Sequence, residues 1–184
     1  LYGISYDHWP LSVFGDAERI RTINPLVRVP TLVLEDGLAL TDSSAILDYL
    51  DGLVAPEERL CPAEEPGRHR ALRIAALCTG LGDKAVSLFY EGRLHDVPSS
   101  AWRDRCRSQI IGVLAQLEAE LDGPWFFDQM GHCDIVCATV LRFILEAHPG
   151  FIAPANYARI FALSERLEAT PAFRKISQPF DAPV

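Results

Sequence analysis

From Arg68 onward the apolar residues of the chain recur at helical spacing, whereas before it they come in short runs broken by turn residues. Ser100 to Leu121 places Trp102, Cys106, Ile110, Val113, Leu114, Leu117 and Leu121 on one stripe, which predicts an amphipathic helix. Cys133 to His148 is apolar nearly all round, the pattern of a central buried helix. Pro154 to Ala169 puts Tyr157, Ile160, Phe161 and Leu167 on one face.

The first third reads differently. Ser5 to Phe14 contains a short strand-like stretch ending near Pro10, and Gly15 to Asn24 suggests a loop or short helix. Leu32, Val33 and Leu34, then Leu38 and Leu40, flank Glu35-Asp36-Gly37, and Asp-Gly between apolar runs is a strong hairpin signal. Asp42 or Ser43 then caps a helix whose apolar face is Ala45, Ile46, Tyr49, Leu50 and Leu53. Ala55 to Gly67 carries Pro56, Pro62 and Pro66 among acidic residues, a linker by composition. The expected organisation is a small α/β domain over residues 1–54, a linker over 55–67 and an all-helical domain over 68–184. Leu1-Tyr2-Gly3-Ile4 reads like the last turn of a helix closed by Gly3, so a first strand and most of a first helix are expected upstream of Leu1.

Composition narrows the function classes. With 17 basic against 25 acidic residues the net charge is −8, so a general nucleic-acid binder is not expected. The five cysteines, Cys61, Cys78, Cys106, Cys133 and Cys137, have no framework spacing and read as free thiols of a cytoplasmic protein. The longest apolar stretch, Ile135 to Leu145, is interrupted by Arg142 and too short to span a bilayer. Cys133 and Cys137 share a helix face beside His132, but too few further ligands join them for a metal site.

One segment carries chemistry. Asn24-Pro25-Leu26-Val27-Arg28-Val29-Pro30-Thr31-Leu32 is followed by Leu40-Thr41-Asp42-Ser43-Ser44-Ala45-Ile46 and then Tyr49-Leu50. In residue type and spacing this resembles the glutathione-site signature of cytosolic glutathione transferases, bacterial-type. Gly131-His132-Cys133-Asp134-Ile135 resembles the family's buried helix and its capping aspartate, although Gly131 replaces the usual hydroxyl residue. Thr170-Pro171-Ala172-Phe173 resembles its closing segment. Val27 stands where the family often has a small residue.

The resemblance implies a thioredoxin-like first domain, glutathione as substrate with no further cofactor, and a cytoplasmic, detoxifying homodimer. It implies binding roles for Arg28, Val29, Pro30, Asp42 and Ser43. A cis Val29–Pro30 bond would expose the backbone of Val29 as an edge on which a peptide can pair. The helix beginning at Asp42-Ser43 offers free N–H groups to the γ-glutamyl carboxylate, and Asp42 offers an anion to its ammonium. Arg28 suits the glycyl carboxylate. Ala85, Ser87, Phe89 and Tyr90 are candidates for lining the second-substrate pocket. Asp83 is a candidate to reach a partner subunit's ligand. The residue that activates the thiol is expected upstream of Leu1. The expected activity is transfer of the glutathione thiol to a small electrophile. A glutathione-dependent disulfide oxidoreductase or deglutathionylase of the same fold, or a non-catalytic binding or regulatory protein, is the alternative.

Overall fold

The structure is a computed structural model that describes residues 1–178 and 180 of the 184-residue chain; Pro179 and the last positions of the segment expected to run to 184 lie outside the described residues. The chain divides into two compact units at Arg59–Leu60, within the segment read as a linker.

In the first unit a short helix, α1 (Ala17–Arg21), precedes a two-stranded antiparallel sheet, β1 (Thr31–Val33) and β2 (Ala39–Thr41). The register pairs Thr31 with Thr41, Leu32 with Leu40 and Val33 with Ala39. The Asp-Gly signal sets this register. Gly37 donates to the Leu34 carbonyl at 3.0 Å, Leu34 donates to the Leu38 carbonyl at 2.9 Å, and Gly37 takes a φ of 88° that favours glycine. The Asp36 carboxylate accepts the next amide, that of Leu38, at 2.9 Å. Helix α2 (Ser43–Gly52) starts two residues after β2 and packs on both strands.

The strand expected within Ser5–Phe14 is not formed. A strand needs a neighbour's backbone groups, and this segment's bonds are local ones, Leu11 N–H to the Trp9 carbonyl and Asp16 N–H to the Ser12 carbonyl. Leu1-Tyr2-Gly3-Ile4 likewise forms no helical turn, although Gly3 takes a left-handed φ of 67°. Side chains fasten the segment instead. Tyr2 donates its hydroxyl to the buried Asp51 of α2, and the Arg19 guanidinium of α1 lies 4.9 Å from the Trp9 ring centre.

The second unit contains α3 (Gly67–Leu94), α4 (Ser100–Glu120), α5 (His132–Ala147), α6 (Ala158–Glu168) and α7 (Pro171–Ile176). Helix α5 packs against α3 and α6, and α3 against α4. Ile74, Leu81, Ile110, Leu114, Leu117, Leu141, Ile144, Ile160 and Leu163 are wholly buried at these contacts. The apolar circumference of α5 is thus that of a helix with neighbours on several sides. Trp102 departs from the predicted stripe. At the open end of α4 it remains 37% exposed and packs beneath the Lys84 ammonium, 5.7 Å from the ring centre.

The start of α5 explains an unusual residue. Asp134 accepts from the Gly131 amide at 2.8 Å, which is half of a capping box, and glycine has no side chain to supply the reciprocal bond. Leu60 supplies what the backbone needs, its carbonyl accepting from His132 N–H at 3.0 Å. That close passage is why glycine stands here: a Cβ on Gly131 would meet the Leu60 carbonyl oxygen at 2.5 Å. Gly131→Ser, which by capping propensity alone should be neutral to stabilising, is therefore expected to destabilise by about 1–3 kcal/mol through overpacking. Urea titration checks this; an unchanged or raised midpoint would refute the clash.

Candidate functional site

The loop between α1 and β1 is organised by Asn24, only 2% exposed. Its Nδ2 lies 3.0 Å from each of three acceptors, the Arg28 carbonyl, Thr31 Oγ1 and Thr41 Oγ1. Its Oδ1 accepts from Leu26 N–H at 3.0 Å, and its own carbonyl accepts from Val27 N–H at 2.9 Å. The residues that follow two of these acceptors in sequence are Val29 and Asp42. One amide therefore ties together the two segments on which the expected binding residues lie. The Asn-Pro turn marked this position in the sequence, but its structural role was not evident there.

Two non-glycine residues of this unit have positive φ, Val27 at 50° and Asp42 at 75°. A β-branched residue in the left-handed region is strained by roughly 1–2 kcal/mol, which fits the small residue the family often has at the Val27 position. Beyond it, Arg28 and Val29 are exposed and the Val29–Pro30 peptide is cis. The backbone N–H and C=O of Val29 have no hydrogen-bond partner among the described residues.

Asp42 turns the chain from β2 into α2. Its Oδ1 accepts the Ser44 amide at 2.9 Å and the Ser44 hydroxyl at 2.6 Å. The Ser44 hydroxyl, then the Ser44 amide, and lastly the charge of Arg28 hold the Asp42 carboxyl below its ordinary value, against a smaller opposing effect of burial. Asp42 is thus an anion at neutral pH on an exposed edge. Ser43, the first residue of α2, has an amide without an intrahelical partner, as at any helix start, and its hydroxyl has no partner among the described residues.

The geometry has counterparts in known proteins. Residues 1–58 match the glutathione S-transferase N-terminal domain. A glutathione S-transferase of Methylobacterium radiotolerans, solved in complex with glutathione sulfonate, superposes with a TM-score of 0.81 at 31% identity, over 95% of this chain and 84% of that one. The chain belongs to the glutathione transferase family. A further family member, from Pseudomonas fluorescens Pf-5 and solved with bound glutathione, matches at 29% identity and a TM-score of 0.81, over 89% of this chain and 80% of that one. Glutathione S-transferase GstA of Escherichia coli O157:H7 is 30% identical over 124 residues, a match spanning 66% of this chain and 59% of the relative. The architecture is accordingly that of a transferase: thioredoxin-like elements, then an all-α bundle.

The second-substrate candidates lie on α3 of the helical unit. Ala85 is corrected by the structure: it is wholly buried in the core and offers a ligand no surface. Helical spacing placed it one turn from Phe89, but the face turned towards α5 includes it. Its carbonyl accepts from His148 Nε2 at 2.9 Å. Phe89 is half-buried, its ring edge-on to those of Tyr90, His148 and Phe180. Ser87 and Tyr90 are also half-buried, and Asp83 is exposed.

Cys133 and Cys137 are buried with Cys78 among apolar side chains, and burial pushes the Cys133 thiol far above its usual range. The described residues contain no group of three or more His, Cys, Asp or Glu placed to hold a metal. Among them, no helix is long and apolar enough to cross a membrane.

Proposed function

We propose that the chain binds glutathione through its first unit and, as a glutathione transferase, joins the glutathione thiol to a small electrophile. Asp42 carries this reading: a carboxylate held ionised at a strand-to-helix junction, adjacent to the unbonded amide and hydroxyl of Ser43. An ammonium and a carboxylate on one carbon, the γ-glutamyl head of glutathione, satisfy both sides of that junction. The unpaired backbone of Val29 suits the cysteinyl peptide unit, and Arg28 suits the glycyl carboxylate. Relatives solved with glutathione or glutathione sulfonate bound support this reading. Ser87, Phe89 and Tyr90 are the proposed contacts of the electrophile, and detoxification in the cytoplasm is the proposed setting, supported by five cysteines that form no disulfide.

Calorimetry on Asp42→Ala is expected to show glutathione binding weakened by about 1–3 kcal/mol, the loss typical of a charge-assisted hydrogen bond. Because the folded carboxyl titrates below its ordinary value, the affinity advantage over Asp42→Asn should persist through the ordinary carboxylate range and vanish only as pH falls through that lowered value. Unchanged affinity in both Asp42→Ala and Ser43→Ala would sink the assignment.

The proposed assembly is a two-fold dimer pairing the α2 side of one subunit with α3 of the other. Light scattering at micromolar concentration should give twice the chain mass; a monomer would contradict it.

A further inference from the structure

Four rings of the helical unit meet edge-on in a closed circuit. Phe89 of α3 touches Phe180, Phe180 touches Phe143 of α5, Phe143 touches His148, and His148 returns to Phe89. The ring centres are 5.4, 5.5, 6.4 and 6.2 Å apart in that order. The planes stand at 85°, 78°, 86° and 78°, the edge-to-face arrangement that aromatic quadrupoles favour. Two of the four, Phe89 and His148, line a cleft of about 620 Å³ between the end of α3, the start of α4 and the turn after α5. Phe180 and Phe143 stand behind that pair and do not line it.

Three of the rings are carried by helices or pinned to one. Phe89 lies within α3, Phe143 lies within α5, and His148 Nε2 is bonded to the Ala85 carbonyl at 2.9 Å. Phe180 comes from beyond the end of α7 at Ile176 and is placed by side chains of α5. Its N–H donates to Glu146 Oε2 at 3.0 Å. Arg142, one turn earlier on the same face of α5, spreads its guanidinium over three acceptors. Nε meets Glu146 Oε1 at 2.9 Å, Nη1 meets Glu168 Oε2 of α6 at 3.3 Å, and Nη2 meets the Gln178 carbonyl at 3.0 Å. The planar guanidinium therefore orients the carboxylate that holds Phe180 and also grips the chain two residues before it. A charged clamp thus sets an apolar ring against the back of Phe89. Without Phe180, Phe89 loses an edge partner and gains room to turn away from the cleft.

We infer that Phe180, clamped by Arg142 and Glu146, is a positioning residue that fixes the Phe89 ring and so sets how well the electrophile site accepts an aryl group. The inference rests on the proposal that Phe89 contacts the electrophile.

Calorimetry on the whole chain with glutathione, S-methylglutathione and S-benzylglutathione tests it, the benzyl group standing for an aryl electrophile after transfer. Phe180→Ala is expected to cut the preference for the S-benzyl over the S-methyl conjugate by about five-fold, the range of a lost edge-to-face contact. Affinity for glutathione and S-methylglutathione should hold. Phe180→Tyr, which keeps the ring, should keep the preference. Arg142→Gln should reproduce the effect of Phe180→Ala with Phe180 still present, and it carries the test if Phe180→Ala does not fold. An unchanged preference in a folded variant, or an equal weakening of all three ligands, overturns the inference. Proton NMR of the Phe89 ring separates this failure from that of the proposed function. Its resonances should shift in both Phe180→Ala and Arg142→Gln, and unmoved resonances overturn the inference. Shifted resonances in a chain that binds no glutathione would instead refute the proposed function and leave the positioning of Phe89 standing.

Discussion

Asp134→Ala is expected to lower the stability of the helical unit by about 3 kcal/mol, because one substitution orphans two buried backbone donors. Asp134 is wholly buried; Oδ1 accepts from Phe126 N–H at 3.0 Å and Oδ2 from Gly131 N–H at 2.8 Å. Alanine supplies no acceptor, and both amides belong to buried residues. Thermal or urea unfolding of the whole chain measures the loss, and a change below about 1 kcal/mol would show that the cap is dispensable. The same carboxylate sets a pH dependence. Burial raises its pKa above the ordinary 3.8, an effect the Phe126 and Gly131 amides oppose without cancelling. The folded state therefore holds its proton to higher pH than the unfolded state. Stability contributed by this group is fully present below 3.8 and declines as pH rises through the raised folded value. Asp134→Asn removes that slope at the cost of one acceptor, so its deficit relative to the natural chain should be largest at acid pH and narrow above the window. A deficit that widens with pH would mean the shift has the opposite sign.

Asn24→Ala is expected to cost about 2–4 kcal/mol in the first unit and to reduce glutathione affinity by at least ten-fold. Three acceptors lose their shared donor, and the Leu26 amide loses its acceptor. The affinity loss is the more informative half. Asn24 touches no proposed ligand group, yet it anchors the residues adjacent to Val29 and Asp42, so its removal loosens a preorganised site. Asn24→Asp should fare nearly as badly, since a carboxylate cannot donate to the Arg28 carbonyl. Normal affinity in a folded Asn24→Ala chain would mean that the two segments hold their positions without it.

What the sequence disclosed was local chemistry. The Asp36-Gly37 turn, the cap at Asp42 and the stripe of α4 each depend on residues within a few positions of one another, and the structure has them. What it concealed was long-range. Asn24 reaches Thr41 17 residues away, and only the folded hairpin brings them together. Ala85 and Phe89 are one turn apart, so periodicity alone could not separate the core side of α3 from the side lining the cleft. Gly131 read as a departure from the usual cap because the Leu60 carbonyl that excludes a side chain lies within the linker, far away in sequence. The strand expected between Ser5 and Phe14 was an inference from apolar residues in a stretch whose backbone bonds stay local.

That Leu60 contact also redraws where the helical unit starts. Cutting at the first residue of α3 would discard the peptide group that receives the His132 proton and, with it, the buried Cys61 beside Arg68. A fragment meant to fold by itself has to open at Leu60, with seven residues of irregular chain ahead of Gly67 retained as part of its architecture. Length changes inserted between Ala55 and Arg59 stay clear of that contact, whereas those placed between Leu60 and Pro66 shift the register at which the central helix is docked. The proline-rich stretch is thus a spacer in its first half and a structural brace in its second.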